Sequence, residues 1–332
     1  MATSTRTPIQ LLDAKAYIAD LVNEVSRAKH RIYLMTLIFT DDESTHPLVE
    51  ALITAAGRGV KVVITADSYT YTEFGGVLSP AKRSSPRSKV TTATVTRLTS
   101  AGISFTWLGV VYKRNPFSGV THTKWSVVDD VCYSFGGVNL FNGGISSVDY
   151  MFRFASSEIA RLLIKEQGAI MASTPSHPYP GHTHTTDFGT FYIDSGIKHD
   201  SPIYDHALAL AQKATHILYV SQYCPSGPLA EAIRSTSSEI YFNTPKLASF
   251  PTNLFLFAES ARQHIKSLYT KNQYLHAKFM IFTLPSGEKV AVTGSHNFSH
   301  SGVAFGTREI ALETREHTII AQLEAFREKD VY

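Results

Sequence analysis

Two short patterns in this chain carry residue types suited to work on a phosphate. His122 and Lys124 stand two apart, followed by Asp129 and by Gly136-Gly137-Val138-Asn139. His276 and Lys278 repeat the spacing, followed by Gly294-Ser295-His296-Asn297. Each pattern reads as strand, turn and returning strand. A side-chain period of two then puts His and Lys on one face. Thr123, Trp125 and Val127 take the opposite face in the first pattern, and Ala277, Phe279 and Ile281 in the second. Asp129 and Asp130 make the first turn, while Leu284-Pro285-Ser286-Gly287 makes a longer second one. Both hairpins return an Asn beside the His and Lys. A single His-x-Lys is usually an ordinary polar strand. The same constellation twice, in the same context, points to function.

The chemistry follows from the residue types. A phosphodiester is an anion and repels nucleophiles. Lys124, Lys278, Asn139 and Asn297 offer donors for its non-bridging oxygens and for charge that grows in the transition state. One neutral imidazole attacks phosphorus in line and forms a phosphohistidine. The second imidazole protonates the leaving alkoxide, a contribution of about 10²–10⁴-fold, and later deprotonates water or alcohol. Histidine suits both tasks because it titrates near neutrality. These groups supply the electrostatics, so no metal or cofactor is required. His177, His182 and His184 lie in a Pro/Gly-rich stretch without a clear carboxylate or Cys partner, and read as polar loop histidines.

The elements that must position these residues also come in two copies. Arg31–Phe39 reads as a buried strand, His46–Ala56 as a helix stopped by Gly57-Arg58-Gly59, and Val60–Thr65 as the next strand. His216–Ser221, Leu229–Arg234 and Glu239–Phe242 repeat that order. Such β-α-β units favour a mixed or parallel sheet covered by helices. The expected fold is therefore α/β, with two pseudo-symmetric units, 1–172 and 188–332, joined by a linker at 173–187. The first unit is longer before its His-Lys pattern. The excess fits 68–95, rich in Ser, Thr, Lys and Arg, which reads as an inserted basic surface loop.

Bulk properties exclude several classes. A 43% hydrophobic and 18% charged chain is neither disordered nor a coiled coil. A net charge of +3 is too small to argue for nucleic acid by itself. Cys132 and Cys224 build no disulfide framework. The polar N-terminal residues show no signal peptide, and no apolar run reaches membrane-spanning length, so a cytoplasmic protein is expected.

The two patterns resemble the HKD motifs of the phospholipase D superfamily. The likeness includes the preceding β-α-β segments and so covers most of the chain. His46-Pro47-Leu48 and Gly59-Val60-Lys61-Val62, with Gly136-Gly137-Val138-Asn139, are most like cardiolipin synthases and related phosphatidyltransferases. Asn297-Phe298-Ser299-His300-Ser301-Gly302 looks more like smaller nuclease-type members. The resemblance implies an active site between the two units, His122 as nucleophile and His276 as general acid/base. It implies a mainly architectural role for Asp129, whose counterpart in the second copy is Thr283, and a structural one for Gly136, Gly137, Gly294 and Ser295. It also implies an acid after each motif to orient an imidazole. Asp149 is the candidate after the first motif and Glu309 after the second, with Glu313 competing. The implied substrate is a phospholipid, an anionic one foremost, met at a membrane surface by peripheral contact. Nucleic acid is the alternative substrate, and no obligate protein partner is implied. Lys82–Lys89 and the aromatics Tyr69, Tyr71, Phe74, Trp107, Tyr112 and Phe117 could serve lipid or nucleic acid, or fill loop and core.

Overall fold

Asp13 closes the first strand, β1 (Gln10–Asp13), and caps the first helix, α1 (Ala14–Arg27), where its carboxylate accepts the Ala16 N–H at 2.9 Å. The structure is a computed structural model that describes residues 9–75, 85–109, 119–247, 254, 258 and 261–332. Next come β2 (Arg31–Thr36), α2 (His46–Gly57) and β3 (Lys61–Asp67). The expected β-α-β unit is present, with Ile32 opposite Val62 in a parallel pair.

Residues 68–95 do not form a surface loop where they are described. They contain α3 (Tyr69–Gly75) and the start of α4 (Pro86–Ser100), a crossover helix that delivers β4 (Ser104–Leu108) parallel to β3. Ser88, Thr91, Thr94 and Leu98 are its buried residues, and the Thr91 hydroxyl meets that of Thr40 at 2.8 Å. Of the basic cluster, Lys82 and Arg83 lie outside the described residues, as do Tyr112 and Phe117. Tyr71 packs on Trp107 with ring centroids 5.1 Å apart.

The first unit continues through β5 (Trp125–Val128), β6 (Val131–Ser134), α5 (Asn142–Ile145), β7 (Tyr150–Ala155) and α6 (Ser157–Ala172). The second comprises β8 (His182–Thr186), β9 (Gly189–Ile193), α7 (Pro202–Ala211), β10 (His216–Val220), α8 (Pro228–Arg234) and β11 (Ser237–Tyr241). It ends with β12 (Phe279–Thr283), β13 (Lys289–Gly294), α9 (His300–Phe305), β14 (Ile310–Thr314) and α10 (His317–Phe326). The expected linker thus includes the strand β8.

Each unit is a mixed seven-stranded sheet, ordered β1-β7-β6-β5-β2-β3-β4 in the first and β11-β10-β12-β13-β14-β9-β8 in the second. Six strands correspond one to one, with the same parallel pair followed by antiparallel neighbours. β4 extends the first sheet at one edge and β8 the second at the other. Alternation sorts the side chains. Phe279 and Ile281 join a central core shared with Trp125, Val127, Phe135, α6 and α10, while Met280 and Phe282 face α7 and α8. The outer face of the first sheet packs on α1 and α2. Polar contacts also cross between the units. Thr293 donates to the Phe135 carbonyl at 2.9 Å, and its hydroxyl meets that of Tyr150 at 2.5 Å.

Candidate active site

His122 and Lys124 lie on extended chain just before β5, and His276 and Lys278 just before β12. Each of these segments is held by the opposite unit. Thr121 bridges Arg308 in parallel, and the His122 N–H donates to the Arg308 carbonyl at 2.7 Å. Leu275 bridges Val148, and the N–H groups of His276 and Ala277 both donate to the Val148 carbonyl at 2.9 Å. The residues after Arg308 and Val148 are Glu309 and Asp149. Each acid therefore arrives beside the histidine of the other unit. Asp67 adds a tether, since its carboxylate accepts the Thr121 N–H at 2.8 Å.

The two acid–imidazole contacts differ. His276 Nδ1 and Asp149 Oδ2 form a hydrogen bond of 2.7 Å. His122 Nδ1 lies 3.1 Å from Glu309 Oε1 but is not aligned for a regular hydrogen bond. Glu309 and Asp149 are 3% and 1% exposed, so both are screened from water. Asp149 Oδ1 also accepts the N–H groups of Tyr150 and Gly137 at 2.8 and 3.2 Å. Ser295, at the position matching Gly137, donates its hydroxyl to Glu309 Oε2 at 2.5 Å instead. Glu313 is not at the site; it pairs with His206 and Arg315.

The lysines stand beneath the histidines. Lys124 Nζ donates to the His122 carbonyl at 2.7 Å, and Lys278 Nζ to the His276 carbonyl. Both are buried. Burial, opposed by Glu309 and Asp149, pushes Lys124 down to about 8. Burial, opposed by Asp149 and reinforced by Lys124, pushes Lys278 down to about 7. His276 is pushed down to about 4, first by burial and then by Lys278, against the pull of Asp149. His122 is also lowered by burial, which Glu309 partly offsets. Burial pushes Glu309 up, but the neighbouring charge of His122 and the contact with it, joined by His296 and Lys124, prevail. The carboxyl is held below the ordinary range.

The first glycine of each Gly-x-x-Asn is dictated by packing. A Cβ on Gly136 would lie 1.8 Å from the Tyr150 carbonyl oxygen, and one on Gly294 would lie 2.1 Å from that of Ile310. The asparagines that follow are buried, each with a carboxamide oxygen that has no partner. Such atoms are costly unless a ligand uses the amide. Asp129 accepts the N–H groups of Lys29, His30 and Arg31 at 2.9, 2.9 and 3.0 Å, which fixes the start of β2. In the second unit the Thr283 carbonyl accepts the N–H and hydroxyl of Thr215 at 2.8 and 3.1 Å. The backbone there does what the Asp side chain does in the first unit.

His122, His276 and Asn139 line one cavity of about 580 Å³, and Lys124 and Lys278 are tied to the carbonyls of its two histidines. Tyr69, Glu73, Gln222, Tyr223 and Tyr274 also face it, together with the apolar Leu37, Ile38 and Leu247. The sequence reading missed His296, which is buried near Glu309 and accepts the Phe298 N–H at 2.8 Å. Its only signal was its place inside Gly-Ser-His-Asn.

Residues 21–169 match the family model described as "Cardiolipin synthase, PLD-like domain". Comparison with curated proteins finds no match. Among solved structures, phosphatidylserine synthase from Haemophilus influenzae superposes with a TM-score of 0.72 at 13% identity, over 98% of this chain and 86% of that one. Polyphosphate kinase from Porphyromonas gingivalis gives a TM-score of 0.60 at 11% identity, over 96% of this chain and 49% of its own. A phospholipase D family member from Salmonella typhimurium gives a TM-score of 0.36 at 17% identity, over 48% of this chain and 91% of that one. At these identities the likeness to the first two is one of fold. Residues 21–169 thus match a phospholipase D-like domain, and the full length of the chain follows the fold of the phosphatidylserine synthase. Among the described residues, no helix is long and apolar enough to cross a membrane.

Proposed function

We propose that the protein cleaves or transfers the phosphodiester of a phospholipid through a phosphohistidine on His122, with His276 as the proton carrier. The observation that carries this reading is the convergence of both imidazoles on one cavity, each with a buried carboxylate at its Nδ1. That contact leaves Nε2 of each ring for the substrate. The aligned 2.7 Å contact with Asp149 supports His276 as the residue that holds positive charge. Phosphate binding supports the same assignment. Burial is the main cause that keeps His276 neutral, and an anion near Lys278 and Lys124 would offset the part that their charges add, favouring the protonated ring when substrate is bound.

The lining favours a lipid over a nucleic acid. Among the described residues neither Lys nor Arg faces the cavity, and Glu73 does. A polynucleotide needs a basic track for its neighbouring phosphates. A single phosphodiester with a hydroxyl-bearing headgroup suits tyrosines, glutamines and one acid. The family match also supports phosphatidyl transfer, as in cardiolipin synthesis. The test is turnover of phosphatidylglycerol vesicles and of single- and double-stranded DNA by the same pure sample, with and without added glycerol. Lipid turnover that partitions between water and glycerol is expected. Cleavage of DNA alone would replace this reading with a nuclease.

A further inference from the structure

The fold supplies the carboxylate that the sequence around His182 and His184 lacked. Glu166 comes from α6 of the first unit and is 1% exposed. Its Oε2 lies 2.7 Å from His182 Nδ1, and its Oε1 lies 3.0 Å from His184 Nε2. The Tyr179 hydroxyl donates to Oε2 at 2.6 Å. His182 and His184 are two apart on β8, the outer strand of the second sheet, so both rings leave the same face. One ligand atom from each of the three residues lies within 4.8 Å of the others.

We propose that Glu166, His182 and His184 bind a divalent cation of the zinc type, which fastens β8 of the second unit to α6 of the first. Two imidazoles and one carboxylate form a known class of zinc ligand set, with bonds of about 2.0–2.2 Å. The three side-chain ends, now within 4.8 Å of one another, would close on the ion to reach those bond lengths. Each ring frees its lone pair by shifting its proton to the other nitrogen, His182 to Nε2 and His184 to Nδ1. Glu166 brings the negative charge, and Tyr179 orients its carboxylate from behind. The His182 side chain is 40% exposed, which leaves an entry path and room for a water as fourth ligand.

The site is separate from the candidate active site, since none of the three residues lines that cavity. Tyr179 is the nearest link, with the Arg308 guanidinium 5.2 Å from its ring centre. The competing account is a buried carboxylate satisfied by three hydrogen bonds alone. Burial raises Glu166, yet the bonds from Tyr179, His182 and His184 and the charge of His182 outweigh it and hold the carboxyl below its ordinary value.

The experiment strips the full-length protein with a chelator, removes the chelator and titrates zinc by calorimetry. One zinc per chain is expected, with a rise in Tm of roughly 5 °C at a hundredfold excess over Kd. The His182→Asn/His184→Asn double variant should lose at least about 100-fold in affinity. His177→Asn, a change in the same segment outside the ligand set, should bind as the parent does. Zinc that fails to bind the parent would leave only the hydrogen-bonded carboxylate and overturn the proposal. Equal binding by the double variant would place the ion elsewhere and overturn it too. Should that variant not fold, X-ray absorption of the parent's zinc complex decides: two imidazoles and one carboxylate support the site, and any other set refutes it. Lipid turnover at 25 °C should be the same before and after stripping, so failure of this site leaves the proposed activity intact.

Discussion

His276 Nδ1 sits 2.7 Å from Asp149 Oδ2, although the histidine belongs to the second unit and the carboxylate to the first. The reciprocal pair, His122 and Glu309, crosses the same boundary at 3.1 Å. Neither unit completes its own histidine.

Crossed pairing makes a specific kinetic prediction. Asp149→Asn should behave like a weakened His276, forming the covalent adduct but breaking it down slowly. Glu309→Gln should behave like a weakened His122, slowing adduct formation. Each change should lower kcat by about 10²–10⁴-fold. Rapid-quench measurement of adduct formation and decay separates the two. The opposite assignment of phenotypes would mean that each acid serves the histidine of its own unit.

The lysines predict how anion binding depends on pH. Burial holds Lys278 at about 7 and Lys124 at about 8, so both are fully charged only below those values. Diethyl phosphate stays a monoanion throughout this range. Its affinity should be full near pH 6 and fall at least ~10-fold by pH 9, as the ammonium protons leave. Calorimetry at pH 8 in buffers of different ionisation heat should show proton uptake on binding. Constant affinity to pH 9 would remove the lysines from the anion site.

Much of this arrangement was legible in the chain. The β-α-β segments showed as apolar runs because their strands are buried on both faces, as Ile32, Leu34 and Met35 are in β2. The paired His-x-Lys and Gly-x-x-Asn spacings named residues of the candidate site, of which His122, His276 and Asn139 line one cavity. The helix α4 was hidden because its buried face carries three hydroxyl side chains, Ser88, Thr91 and Thr94, beside the aliphatic Leu98. Thr91 and Thr94 satisfy those hydroxyls on the carbonyls of Arg87 and Val90, so no apolar period marks the helix. The crossed acids depend on the Thr121–Arg308 and Val148–Leu275 bridges, which are tertiary and leave no local trace. Glu166 was invisible as a partner for the same reason, lying on a buried helix face 16 residues before His182.

Glycine positions predict a contrast in stability. Gly136→Ala would drive a Cβ into the Tyr150 carbonyl and should cost about 3 kcal/mol or more. A Cβ on Gly57, the last residue of α2, meets nothing within 4 Å, and Gly57→Ala should gain about 0.4–1 kcal/mol. Urea unfolding midpoints check both. A Gly136→Ala protein as stable as the parent would contradict the close crossing of β6 and β7.

Chelation bears on the chemistry itself. In the proposed mechanism two imidazoles, two ammonium groups and two carboxamides do the work that metal ions do elsewhere. Excess EDTA should leave the initial rate at 25 °C nearly unchanged, even where it lowers Tm. A loss of rate that zinc or magnesium restores would refute a metal-independent mechanism.

The covalent adduct tests the central claim most directly. A lipid or phosphodiester with a nitrophenolate leaving group needs no general acid, so the His276→Asn protein should still form the adduct and release it slowly. Acid quenching followed by mass spectrometry of the peptides around each histidine should find the phosphoryl or phosphatidyl group on His122, and none in a His122→Asn protein with any substrate. An adduct on His276 would reverse the two roles. Turnover with no adduct on either histidine would contradict the account.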